Sequence, residues 1–178
     1  ARETFSAEGD KLAMDIDYAN SKGSYVITNV AEEMKLATSD IITWNDYRKE
    51  DGEQTFGLLS QISPDGRYVV STVKDKSVFV PRPDIAFSQL FFPLKGILCV
   101  YDTVEGTYRA LPGADDPNYV QSNPVWSPDG KYIVFARAEA YDLENTAGEG
   151  KVLLTREECR EFLEAGKPFR FDLYRIAF

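Results

Sequence analysis

The chain has 178 residues, 43% of them apolar and 13% aromatic, a composition that fits a globular domain and excludes a disordered chain. Its net charge of −9 argues against nucleic acid, whose phosphates need clustered Lys and Arg, and against docking on anionic lipid. Histidine is absent, so neither a Ser-His-Asp nor a Cys-His catalytic unit can be assembled within these residues.

No run of 18 apolar residues is present, so no membrane-spanning helix is expected. The chain begins at Ala1 and not at Met, as expected of a trimmed or mature form, and the lack of a signal peptide therefore carries little weight.

One short phrase occurs three times, as FSAEGDKLAMD from Phe5, ISPDGRYVVST from Ile62 and WSPDGKYIVFA from Trp126. Its serines, Ser6, Ser63 and Ser127, stand 57 and 64 residues apart. Each copy is expected to be one supersecondary unit stacked on the next. In the first unit, Lys11–Asp15 reads as a second strand, 23–28 as a third and 33–37 as a fourth, with the first strand incomplete. Its Ala7-Glu8-Gly9-Asp10 departs from Pro-Asp-Gly-Lys, which makes this unit the most divergent.

The second unit reads as four strands, 56–63, 67–74, 96–102 and 107–111. The Pro64-Asp65-Gly66 turn joins the first two: Pro presets φ, Asp bonds the backbone ahead of it and Gly supplies positive φ. In the third unit the strands are 123–127, 131–137 and 171–178, and the fourth is missing. The second strands are apolar at nearly every position, as for a sheet covered on both faces. A sandwich shares that pattern, but the threefold recurrence of one turn argues against it. The fold class expected is all-β, with β-propeller blades of four antiparallel strands and about two and a half to three blades present. The blades span 1–48, 55–112 and 120–178.

WSPDGKYIVFAR followed by FDLYRIAF, and CVYDTVEGTYRALPG, resemble the WD40-like PD40 repeat of TolB-type propellers. The resemblance covers most of the chain outside its insertions. It implies a periplasmic or otherwise extracytoplasmic setting in a bacterial envelope and use as a platform for protein interaction. Similar blades occur in the gating propellers of tricorn-like and dipeptidyl-peptidase-like serine proteases.

A bare blade needs roughly 40–45 residues. Two insertions account for the excess, 75–95 and 138–170, each between the second and third strands of its blade. The second carries a short helix with a Thr155…Glu158 capping box and a stop at Gly166 and Pro168, read as packed on the rim or as a lid. The first is rich in apolar residues, and the prolines on either side of Arg82 exclude a regular strand in mid-sheet. It reads as a satellite core, as a contact patch, or as a surface against a further blade. Blade geometry sends both insertions, and the links 38–55 and 112–122, to one face. The candidate interaction surface there is Phe79, Arg82, Phe87, Phe91, Phe92 and Tyr119.

Asp65 and Asp129 are explained by their turns. Asp15-Ile-Asp17 with Asn20 lacks the Gly and Glu of a calcium loop. Cys99 reads as a buried small hydrophobe, and a Cys99–Cys159 disulfide has no spacing signature behind it. No catalytic, cofactor or metal residue is selected. The expected function is a non-catalytic envelope scaffold, not an enzyme, that binds a protein, peptide or glycan; open strand edges add self-association. The alternative is a propeller domain of a larger hydrolase or redox enzyme whose catalytic residues lie outside this chain.

Overall fold

A computed structural model describes residues 3–19, 21–44, 47, 57–81, 89–142, 155, 157–158 and 170–178. The first sheet is a meander of β1 (Glu3–Phe5), β2 (Lys11–Tyr18), β3 (Ser21–Asn29) and β4 (Ile41–Ile42), each paired antiparallel with the next. The second blade is β5 (Leu58–Ile62), β6 (Tyr68–Pro81), β7 (Gln89–Asp102) and β8 (Thr107–Ala110) in the same order. The third is β9 (Tyr119–Trp126), β10 (Tyr132–Glu139) and β11 (Asp172–Ala177). A single parallel bridge, Gly96 to Val120, joins the second and third into one hydrogen-bonded sheet. The chain is all-β among its described residues, built of antiparallel propeller blades.

The three turns are the same object. In each, the Gly amide donates to the Ser carbonyl, Gly9 to Ser6 at 3.0 Å, Gly66 to Ser63 at 2.9 Å and Gly130 to Ser127 at 2.9 Å. The glycines have φ of +71°, +73° and +70°, a region that costs other residues energy. Each serine hydroxyl accepts from the amide that opens the second strand, Lys11 at 3.1 Å, Tyr68 at 2.9 Å and Tyr132 at 3.0 Å. Each hydroxyl also donates to a carboxylate: Asp65 for Ser63, Asp129 for Ser127 and Asp10 for Ser6. The divergent first copy therefore keeps the clamp, with its carboxylate moved to the far side of the glycine.

The turns also lie together. The Ala7 amide donates to the Pro64 carbonyl at 2.8 Å, and Lys11 Nζ donates to the Gly66 carbonyl at 3.2 Å. A methyl group on Gly130 would sit 3.9 Å from Pro64 Cδ. The first strands of the second and third blades share a further device. Leu59 and Asn123, each four residues before its serine, adopt left-handed φ of 56° and 54° at a bulge.

Two cores lie between the blades. Ala13, Tyr25, Ile42 and Trp44 of the first sheet meet Ile62, Val69, Val73, Ile97 and Cys99 of the second. On the other side, Val70, Leu98, Val100 and Leu111 meet Trp126, Ile133 and Phe135. The continuous apolarity of β6 is thus accounted for: Val69 faces one neighbour and Val70 the other, both fully buried. Trp126 Nε1 donates across the second interface to the Gln61 carbonyl at 3.1 Å.

Three expectations change. The fourth strand of the first blade is Ile41–Ile42, not 33–37. The segment 33–37 lies exposed, Met34 and Leu36 included, whereas Ile42 pairs with Tyr25 and is buried. The insertion 75–95 is no loop over its described part, because β6 and β7 run on as a hairpin through Val80–Leu90 and Pro81–Gln89. Pro81 is tolerated as the last residue of β6, and Pro93 sits beside the register shift at Ser77, where the regular ladder is already broken. Tyr119, expected in a link between blades, opens β9. The helix expected after Thr155 falls mostly outside the described residues, although the Thr155 and Glu158 side chains do cap one another's amides at 2.8 and 3.4 Å.

Ser63→Ala should cost about 1–2 kcal/mol, since it leaves the part-buried Tyr68 amide without its acceptor, whereas the exposed Asp65 carboxylate keeps the Arg67 amide. Gly23→Ala should cost on the order of 2 kcal/mol or more, because its Cβ would fall 1.8 Å from the Gly57 carbonyl oxygen and its φ is +66°. Chemical denaturation of both variants measures these losses, and equal stability with the parent protein contradicts the assignment.

Candidate functional site

The blades have two unlike ends. The turn end is tied down by hydrogen bonds and charge. Arg67 grips Asp102 through Nε at 3.1 Å and Nη2 at 2.7 Å, and Asp102 also accepts from the Val104 amide at 2.9 Å. The Arg67 hydrogen bond holds the Asp102 carboxyl down at about 2. A cleft of about 560 Å³ opens at this end, lined by Lys11, Asn29, Lys35, Asp40 and Thr103 among others. Its lining is polar and mixed in charge, with no convergent catalytic set.

The opposite end carries the hairpin, the 112–118 link and the start of the second insertion. Of the residues expected to form an interaction surface it carries the four that are described, Phe79, Phe91, Phe92 and Tyr119, although not as one patch. Phe79 and Phe91 are cross-strand partners on the hairpin, with ring centroids 5.2 Å apart and planes at 41°. Phe92 points to the other face, where it packs on Val78, Val80 and Leu94 with Tyr141. The hairpin is therefore part satellite core and part half-buried aromatic pair. Arg82 and Phe87 lie outside the described residues. Tyr119 belongs to the third blade, where its ring lies 3.9 Å from the Arg137 guanidinium carbon.

That contact belongs to an arrangement the sequence reading missed. Arg137 stands on the same face of β10 as Ile133 and Phe135, the face that meets the second blade. Its guanidinium lies between two rings, Tyr119 on β9 and Tyr174 on β11, the latter at 4.3 Å. Gln121, fully buried, holds the local backbone: its Nε2 donates to the Gly96 carbonyl at 2.7 Å and to the Tyr119 carbonyl at 2.9 Å, and its Oε1 accepts from the Asp116 amide at 3.1 Å. The available signal was a cation at an apolar-facing position of an alternating strand.

Two titratable groups depart from their usual range at or near the bulge of the long hairpin. Cys99 is a free, fully buried thiol, pushed up to about 12 by burial, so it is inert at neutral pH. Asp75 sits where the β6 register shifts, pushed up to about 6 by burial, which outweighs the opposing hydrogen bond that the Ser77 hydroxyl donates to it at 2.6 Å. Among the described residues no group of His, Cys, Asp and Glu is placed to hold a metal ion.

No protein-family model and no curated protein sequence matches the chain. Among solved structures, the tricorn protease is similar at 12% identity and a TM-score of 0.38, over 76% of this chain and 10% of that one. Hydrazine synthase of Kuenenia stuttgartiensis is similar at 16% and 0.40, over 76% of this chain and 38% of that one. Prolyl oligopeptidase B of Galerina marginata follows at 12% and 0.27, over 80% of this chain and 27% of that one. The chain spans well under half the length of each. At these scores the likeness carries no argument about substrate. Two of these structures are nevertheless named as peptidases, so the expectation that the chain is not an enzyme is overturned: a fold of this kind excludes no enzyme. The TolB-type resemblance has no family match behind it, and the coarser statement, a propeller-like fold, rests on the sheets themselves.

The Asp75 shift carries a pH signature. Its proton is held more tightly in the folded than in the unfolded chain, so folding is favoured while Asp75 is protonated and that advantage is lost as pH rises from about 4 through about 6. Asp75→Asn should remove this loss and raise stability at pH 7 relative to the parent. Melting temperatures at pH 4.5 and pH 7 check it; an equal pH dependence in variant and parent contradicts it.

Proposed function

We propose that this chain is a propeller segment of a larger enzyme, a hydrolase or a redox protein, whose catalytic residues lie outside it. The observation that supports a larger protein is the uncovered forward face of the third blade, and the catalytic part of the reading is what the assays below decide. Val134 pairs there with Val125, and Ala136 with Leu173; Val125 is 46% and Leu173 81% exposed. The corresponding face of the second blade is buried by its successor, so a further unit is expected on this one. The recurrent Ser-Pro-Asp-Gly residues are consumed by turn structure, which leaves no catalytic role for them. The peptidase and hydrazine synthase names agree with the proposal without adding weight to it.

Within that protein, the segment divides into blades at 1–48, 55–112 and 120–178, and the insertion-bearing end contacts a protein, peptide or glycan through Phe79, Phe91 and Tyr119. The likeness of its turns to TolB-type repeats supports an extracytoplasmic location.

The complete reading frame, with the purified full-length protein, tests the proposal. It should contain a separate folded segment with its own catalytic or haem-binding residues, and the protein should hydrolyse dipeptide p-nitroanilides or show a haem absorption band. A frame holding only further blades, with a protein inert in both assays, overturns it.

A further inference from the structure

We propose that Arg137, clamped between Tyr119 and Tyr174, anchors a carboxylate-binding subsite at the insertion-bearing end. This goes beyond the reading above and holds whether or not the full protein is an enzyme.

Arg presents five N–H donors in a rigid plane, is always charged and stacks on aromatic faces. In this chain a satisfied example is at hand: Arg67 makes a forked ion pair with Asp102. Arg137 makes none. Among the described residues no carboxylate lies within ion-pair distance of it, in a chain with 29 Asp and Glu, and its buried Nε has no hydrogen-bond partner. Asp172, its direct partner across the β10–β11 ladder, makes no ion pair with it.

Two rings from the flanking strands lie against the guanidinium, with centroids 3.9 and 4.3 Å from its carbon. Rings hold the charge in place without neutralising it. With two rings against the guanidinium and Nε buried, the edge formed by the two Nη groups is the one left for an acceptor. Two parallel N–H groups on that edge match the two oxygens of a carboxylate. One cation balances one negative charge, and a surface of net charge −9 disfavours a dianion, so a monocarboxylate fits better than a phosphate.

The surroundings are built to keep the geometry. Tyr119 and Tyr174 sit diagonally across Arg137 on the two flanking strands of one sheet, so regular strand pairing fixes the clamp. Gln121 ties the Tyr119 carbonyl to Gly96 and the 116 amide. Such preorganisation lowers the ordering cost of binding. Arg137 immediately precedes the second insertion, 138–170, which places the subsite at the insertion-bearing end.

Calorimetric titration of the full-length protein with sodium acetate, glycylglycine, glycylglycine amide and inorganic phosphate tests the subsite. Acetate and glycylglycine should bind saturably, and the amide and phosphate at least tenfold more weakly. Arg137→Lys, which keeps charge but loses the fork, should weaken acetate binding about tenfold; Tyr119→Leu should weaken it severalfold; Arg137→Ala should abolish it. Arg175→Ala, on the opposite face over Tyr132, should leave it unchanged. A thermal melt shows which variants remain folded, and the lysine variant decides the matter if the alanine variant does not. Saturable acetate binding that survives Arg137→Lys undiminished overturns the proposal, as does phosphate binding tighter than acetate, or no saturable binding by the parent protein.

Discussion

A serine hydroxyl held between one amide and one carboxylate organises this chain. The hydroxyl accepts from the first residues of the second strand and donates to Asp, while glycine closes the turn at positive φ. The register of the first two strands follows from that clamp. Register in turn decides which side chains face each neighbour, since a slip of one residue would exchange the two faces of a strand. Because Val69 and Val70 are both buried, on opposite sides, β6 tolerates no slip in either direction.

The clamp also divides the labour between the ends of the blades. Its three copies touch one another at Ala7, Pro64 and Gly130, which makes that end a fixed edge of the fold. Strand extensions and links accumulate at the other end, where backbone geometry is less constrained and where loops carry recognition on rigid scaffolds. Tyr119, Arg137 and Tyr174 lie on strands at this end, not on loops. A stacked cation can be held there with the accuracy of a sheet, next to segments free to differ in length.

The blades were legible in sequence because their turn chemistry repeats, and Ser-Pro-Asp-Gly states its own geometry. The first copy was less so: Asp10 replaces Asp65 from a different position, and only the hydrogen bonds reveal that the two carboxylates do the same work. The fourth strand of the first blade was misplaced because 33–37 alternates like a strand yet has no partner to bury it, whereas two isoleucines beside Tyr25 do. Prolines near Arg82 hid a hairpin that ends at Pro81 and accommodates Pro93 at a register shift. The aromatic clamp was invisible because its three members come from three strands, Tyr119, Arg137 and Tyr174, whose meeting depends on long-range pairing.

β6 is packed on both faces between two blades. Hydrogen exchange of the full-length protein, followed by mass spectrometry, tests it directly. Amides of 69–73 and 97–100 should exchange slowest, close to the rate of global unfolding, and those of 30–37 fastest. Exchange in 69–73 as fast as in 30–37 would contradict the stacked-blade arrangement.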